Sequence, residues 1–345
     1  MKKFLFKAVI LICSALFIVS CTNPSGQVMK KGATGKPGEM IVVISKESWE
    51  SSPGNLIRET LGQPQLALPQ EEPLFNLIDV PHEAFTDIFK STGNIVITKI
   101  SPTAEETGIA FQNDVWARPQ ATVKISAKNS EEFNDLFTEN SDKILAYFLH
   151  AEKKRLMDSY KKIPEKAVLN TLQKHGISMY VKPGFIIAKE KDDFFWFRYE
   201  TPEISQGIFV YWFDYTSDSI FTSDFLVAKR DSLLRKYVPG PLEGGFMTTE
   251  TRVPQVFNIF EHNGNYAAEM RGLWKVENDF MGGPYILLAE LDASSQRVVV
   301  ADGYVYAPSK NKRNLLREVE AMIYSLKFKD QKKNDKINSQ VKMGN

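Results

Sequence analysis

The chain has 345 residues, 43% of them hydrophobic and 12% aromatic, which is ample apolar material for two cores. Its formal charge is +1 and falls to about −2 once the first 20 residues, which hold three lysines and no acid, are set aside; that balance argues against nucleic acid, whose phosphates demand a basic face. The two cysteines are Cys13 and Cys21, so the body beyond them has no disulfide, no thiolate metal site and no cysteine nucleophile.

Lys2, Lys3 and Lys7 precede an apolar run from Ala8 to Val19, the n-region and h-region of a secretory leader. The run falls short of the roughly 20 residues of a spanning helix. Ile18-Val19-Ser20-Cys21 resembles a bacterial lipobox, with a branched apolar residue at −3, a small residue at −1 and then Cys. The resemblance implies a diacylglycerol thioether on Cys21, cleavage before it and acylation of the new N-terminus, with palmitate among the chains. At about 0.8 kcal/mol per buried methylene, two or three chains anchor stably. The expected partner is therefore a membrane, reached through the lipid. The expected location is the bacterial cell envelope, facing the periplasm, and Thr22 in place of Asp favours the outer membrane. Residues 21–38 read as a flexible tether rich in Gly and Ser. Gly35-Lys36 is no phosphate loop, because position 30 is Lys, position 37 is Pro and the strand comes afterwards.

Residues 40–44 form a near-continuous apolar run, as a strand covered on both faces does. Residues 45–62 read as a helix with Leu56, Ile57 and Leu61 at helical spacing, stopped by Gly62 and Pro64. Strands are expected at 74–80, 94–100, 115–118 and 121–126. A short helix at 81–90 carries Phe85, Ile88 and Phe89 on one side. Residues 130–176 are helical and capped by Ser130, with Pro164 splitting them in two. The alternation predicts an α/β sandwich over residues 39–176.

The second half, 177–328, is richer in strands. Short strands flank Pro183-Gly184, aromatic strands follow at 194–200 and 207–215, and a helix at 219–237 turns Leu226, Leu233 and Leu234 inward. Strands at 247–251, 255–262, 265–275, 285–292 and 297–306 come next, with Asn263-Gly264 as a two-residue hairpin turn. A last helix at 311–326 carries Leu315, Val319, Met322, Ile323 and Leu326 as one stripe. Residues 329–345 read as a disordered polar tail.

This order of elements resembles the PsbP-like sandwich. The resemblance is carried by the strand pair around Pro183-Gly184, by Phe194-Phe195-Trp196-Phe197 and Phe209-Val210-Tyr211-Trp212 before a helix, by Met270-Arg271-Gly272-Leu273-Trp274, and by a last helix ending Ile323-Tyr324-Ser325-Leu326-Lys327. It implies a mainly antiparallel sheet with helices packed on it, and a scaffold for binding or assembly. The lipobox, the strand Gly38-Glu39-Met40-Ile41-Val42-Val43-Ile44 and the segment Arg271-Gly272-Leu273-Trp274-Lys275-Val276-Glu277-Asn278 also resemble a family of bacterial envelope lipoproteins whose domain has no assigned function. The fold class is thus α+β, in two α/β sandwich domains.

No histidine pair sits at metal-ligand spacing, no Gly-x-Ser-x-Gly marks a nucleophile elbow, and nothing calls for a cofactor. The candidate ligand-binding residues are Arg252, Arg271, Trp274, Phe280 and Tyr285, on strands running into glycine-rich loops. A second reading makes Trp274 core and pairs Arg271 with Glu269 or Glu250. The expected function is a non-enzymatic binding or assembly role, toward an envelope protein or a glycan. The alternatives are a hydrolase acting on an envelope polymer through acidic residues, and a structural subunit of a membrane complex.

Overall fold

The computed structural model describes residues 30–329; the lipobox, Cys21 and the tail 330–345 lie outside them. Among the described residues no helix is long and apolar enough to cross a membrane. The fold is α+β and has two domains.

The first sheet is built from β1 (Glu39–Val43), β2 (Asn76–Val80), β3 (Asn94–Ile100), β4 (Gly108–Asn113) and β5 (Ala121–Ala127), in the order β2-β1-β3-β5-β4. All pairs are parallel except β5 with β4. β1 lies inside the sheet with both faces covered, which is why Met40 to Val43 are all buried and no alternation shows. One face packs under α1 (Ser52–Leu61) and α2 (Ser130–Lys162), through Val42, Val96, Ile125, Phe133, Phe137 and Phe148. On the other face Ile41, Val43, Val80 and Ile95 lie beneath Phe85, Phe89 and Trp116. α2 is capped one residue earlier than Ser130: Asn129 accepts from the Glu132 amide, and Glu132 accepts from the Lys128 amide.

Several local expectations need correction. A strand not expected from the sequence, β4, lies at the sheet edge, with Ile109 and Phe111 turned to the core and Ala110 to solvent. The strand expected at 115–118 shrinks to Ala117–Arg118. Ile88 does not join Phe85 and Phe89; it points outward and is 74% exposed, because a 3-10 turn at His82–Ala84 and a separate helical turn at Asp87–Lys90 replace one continuous helix. Residues 30–38 are not a free tether. Lys31–Gly32 pairs in parallel with Ala117–Arg118, Thr34 N donates to Ser91 O, and Gly38 N donates to Glu152 Oε2. Its backbone groups are satisfied by the body, so this stretch is a strap rather than a spacer.

Beyond Pro164 the chain enters a second core. α3 (Lys166–Gln173) already packs Val168 and Leu172 into it. The second sheet comprises β6 (Ile186–Glu190), β7 (Phe194–Glu200), β8 (Ser205–Asp214), β9 (Met247–Thr249), β10 (Val256–His262), β11 (Asn265–Val276), β12 (Gly282–Asp292) and β13 (Arg297–Tyr306). Its order is β9-β11-β12-β13-β8-β7-β6, antiparallel throughout, with β10 also paired to β11. The β10–β11 turn has positive φ at both Asn263 and Gly264, as a type I′ hairpin requires. Along β13, Val299, Ala301 and Val305 face α5 (Arg313–Ile323), while Val298, Val300 and Tyr304 face the side of α4 (Ser223–Tyr237). Gly303 lets α5 close on the sheet, since a Cβ there would lie 2.0 Å from Val319 Cγ1. Lys327–Phe328 closes the fold by pairing with Ile177–Ser178.

α2 of the first domain packs against α5 of the second. The molecule is therefore a stack: first sheet, α2, α5, second sheet, α4. Buried charge fills the seam between the domains. Glu72 accepts from the Lys312 and Arg313 amides at 2.6 and 3.0 Å, capping α5 from a loop of the other domain. Arg317 donates to Leu74 O at 2.7 Å. Lys153 of α2 meets Glu320 of α5 at 2.8 Å, and Glu320 also meets Arg271 of β11 at 3.0 Å.

Candidate functional site

The five sequence-predicted residues do not form one site. Strand parity separates the central pair: positions 271 and 274 are three apart on β11, so their side chains leave opposite faces of the sheet. Arg271 faces α5. Its guanidinium grips Glu269 at 2.7 and 2.9 Å and Glu320 at 3.0 Å. Burial would lower its pKa, but the Glu320 and Glu269 carboxylates outweigh that and raise it. Trp274 is 3% exposed on the opposite face; its indole N–H donates to Val305 O at 3.2 Å. Tyr285 is fully buried and donates to Gln255 Oε1 at 2.6 Å. Arg252 lies in solvent, where its guanidinium pulls the Glu250 carboxyl down to about 2. Phe280 is fully exposed.

Arg271 and Trp274 line two different cavities. The first is an interdomain cleft of about 460 Å³ between the 63–66 loop, α2, β10 and α5, whose floor holds Arg271, Glu269, Arg317, Glu320 and Tyr324. Burial lowers the Arg317 guanidinium to about 10. Each acid here is engaged: Glu269 with Arg271 and the Tyr324 hydroxyl, Glu320 with Lys153 and Arg271, Glu152 with Asn94, Arg155 and the Gly38 amide. This charge set joins two domains, and no carboxylate stands free to take or give a proton.

The second cavity, about 530 Å³, opens on the far face of the second sheet. α4 covers part of that face and ends at Tyr237; beyond it the chain leaves through Val238, Pro239, Gly240 and Pro241, so the aromatic surface past the helix end stays open. Trp196, Trp274, Tyr304, Tyr306, Met247 and Met281 line it. The rings are fixed. Trp196 Nε1 donates to the Tyr304 hydroxyl at 3.2 Å, and the Trp274 and Tyr304 rings meet edge to face at 5.5 Å. Burial pushes the Tyr304 hydroxyl up to about 12, so it stays protonated. The rim carries Arg198, whose guanidinium lies 4.8 Å from the Trp196 ring centroid and pairs with Glu200. Glu203 pairs with Lys310 at 3.0 Å. The pocket thus offers rigid ring faces edged by planar polar groups.

Three elements of these sites went unread in the sequence. The pocket rings Trp196, Tyr304 and Tyr306 come from strands far apart in the chain, and only the strand order joins them. The seam charges lie on the back of α5, whose apolar stripe read as its only buried face. The third is Arg230, fully buried under α4, which donates to Asp302 Oδ2 at 2.8 Å and to Thr249 Oγ1 at 2.9 Å. Burial pushes the Asp302 carboxyl up and Arg230 pulls it back. A signal existed for this one: Leu226, Arg230 and Leu234 are spaced by four, and Asp302 continues the inward alternation of Val298 and Val300.

Residues 33–161 match the family model described as "Domain of unknown function (DUF8532)" and residues 164–325 the one described as "Domain of unknown function (DUF4837)". The two matches meet near Pro164, where the chain passes from the first core to the second. No curated protein matches it. Among solved structures it is similar to the Saccharomyces cerevisiae Ran-binding protein Mog1p, at 12% identity over 46% of this chain and 93% of that one, with a TM-score of 0.31. It is also similar to LpqN, involved in cell envelope biogenesis of Mycobacterium tuberculosis (13% identity, 43% and 79% covered, TM-score 0.28). A third is the human StarD13 lipid transfer and protein localization domain (9% identity, 46% and 94% covered, TM-score 0.22).

Proposed function

We propose that this chain is a lipid-anchored protein of the bacterial cell envelope with a non-enzymatic binding role, and that its ligand is a glycan held in the aromatic pocket of the second domain. The anchor rests on Ile18-Val19-Ser20-Cys21, and Thr22 favours the outer membrane. The observation that carries the binding role is the pocket itself: preset Trp and Tyr faces suit the apolar faces of sugar rings, while Arg198, Glu200 and Ser205 at the rim suit their hydroxyls. A binding role fits better than hydrolysis because Glu200 and Glu203, the acids of this pocket, are each tied to a cation. Glycosidase chemistry needs two carboxyl groups free to act across the scissile bond.

The test is calorimetric titration of the full-length protein in detergent with soluble peptidoglycan fragments, with a neutral glucan and a proline-rich peptide as controls. Wild type binds the peptidoglycan fragments; Trp196→Ala loses about tenfold in affinity, the loss of roughly 1.4 kcal/mol expected from one stacking ring. Equal affinity in Trp196→Ala refutes the site, binding of the peptide alone refutes the glycan, and cleaved fragments after incubation favour the hydrolase.

A further inference from the structure

The strap at residues 30–38 fixes where the chain enters the body. Cys21 and Lys30 are about nine residues apart, a span of at most roughly 32 Å even at full extension. The chain meets the body at the edge where β1, β3 and β5 begin, between Ser91 on one side and Glu152 of α2 on the other. There Lys31–Gly32 lies along Ala117–Arg118, next to Trp116. Thr34 binds Ser91 twice, through its amide to O at 2.8 Å and hydroxyl to hydroxyl at 2.7 Å. Ser91 in turn donates to Ile88 O at 2.9 Å. Ile88 is thus one helical turn from the point of entry. Phe85 and Phe89 hold its segment onto the sheet, with Phe85 and Trp116 edge to face at 5.5 Å, and leave Ile88 outward and 74% exposed.

We propose that this face, with Ile88 at its centre and Lys30, Lys31 and Arg118 beside it, rests on the bilayer that holds the Cys21 lipid, so that the aromatic pocket opens away from the membrane. The inference rests on the lipid-anchor reading. The occupant is the bilayer because a flexible chain of about nine residues spans only roughly 16 Å on average, which keeps the surface around the strap nearer the lipid than the pocket is. Exposed lysines and arginine beside an outward apolar side chain are the elements of an interfacial contact. The pocket lies across the stack, beyond α2, α5 and the second sheet. At about 10 Å per layer it stands some 30 Å farther from the bilayer than the Ile88 face does.

The test uses full-length lipidated protein in vesicles of phosphatidylglycerol and brominated phosphatidylcholine. Cys13 lies in the cleaved leader and the Cys21 sulfur is spent in the thioether, so an introduced cysteine is the single free thiol. Ile88→Cys and Phe280→Cys, both at exposed positions, are each labelled with a small fluorophore. The expected result is loss of fluorescence at position 88 and none at position 280, relative to vesicles without bromine. Equal signals at the two positions, or quenching at 280 alone, overturn the proposal. Intact mass from the same preparation separates the two readings: without lipid on Cys21 the anchor fails and the orientation with it, whereas lipid present with position 88 unquenched sinks the orientation alone.

Discussion

Replacing Glu320 by Ala removes the acid that links Lys153 of the first domain to Arg271 of the second. Glu320 lies almost wholly inside the seam. Breaking such a pair by removing one partner costs about 3–5 kcal/mol, because the remaining charge is left buried. The structure points to the lower end. Arg271 keeps both contacts to Glu269, and the Lys153 side chain, 24% exposed, turns to solvent. A loss of about 3 kcal/mol in a folded body of this size shifts the melting temperature by roughly 5 °C. The pH dependence follows from the direction of the pKa shift. Burial would raise the Glu320 pKa, but Arg271 and Lys153 hold it well below the ordinary value of 4.5. A depressed carboxyl stabilises the fold fully above its unfolded pKa and loses that contribution as pH falls below it. The gap between wild type and Glu320→Gln should therefore be full at pH 7 and narrow steadily below about pH 4.5. Scanning calorimetry of both variants across that range is the assay. A shift under about 0.5 kcal/mol at pH 7, the size of an ordinary surface change, would refute the view that this acid holds the domains together.

The two other arginine pairs should separate cleanly. Arg230→Met strands Asp302 in the core and should cost about 3–5 kcal/mol in urea unfolding, while Arg230→Met with Asp302→Leu should recover most of it; equal losses in single and double variants would contradict a charge-based cost. Arg252→Ala removes an exposed partner of Glu250 and should change stability by less than about 0.5 kcal/mol, because solvent screens that pair. Trp274→Ala should cost about 3–5 kcal/mol and lower the melting temperature, in contrast to Trp196→Ala, whose half-buried ring at the pocket mouth matters more for binding than for folding.

The sequence shows what depends on nearest neighbours along the chain and hides what depends on the order of strands. β3 at Asn94–Ile100, β7 at Phe194–Glu200 and β13 at Arg297–Tyr306 were legible to the residue, since each is a β-rich run bounded by turn residues. The Asn263-Gly264 turn was legible because only the positive-φ conformation suits that pair between strands. The strap was not. Gly, Ser, Thr and Lys without periodicity read as linker, and nothing local says that Gly38 N will find Glu152 on α2. The same holds for Glu72 capping α5, a contact across 240 positions. The grouping of Arg271 with Trp274 had its own answer in strand parity, and the structure follows parity: one residue to the seam, the other to the pocket wall.

Parity also explains how two weakly marked regions serve different ends of one molecule. β11 is covered on both faces, so each inward residue is committed either to the α5 side or to the α4 side. On the α5 side, charge is tolerated because a second domain supplies partners: Lys153 for Glu320, and backbone carbonyls at Pro73 and Leu74 for Arg313 and Arg317. On the α4 side no second domain packs among the described residues, and past Tyr237 the half-buried rings of Trp196 and Tyr306 line an open pocket over Trp274 and Tyr304. A buried ionic seam contributes less to stability than an apolar one of equal size, but it fixes one register, because a slip of one helical turn would part Glu320 from Lys153 and Arg317 from the Leu74 carbonyl. The seam therefore does for the domain pair what the strap does for the chain entry. Together they hold the Ile88 face and the aromatic pocket at opposite ends of one stack.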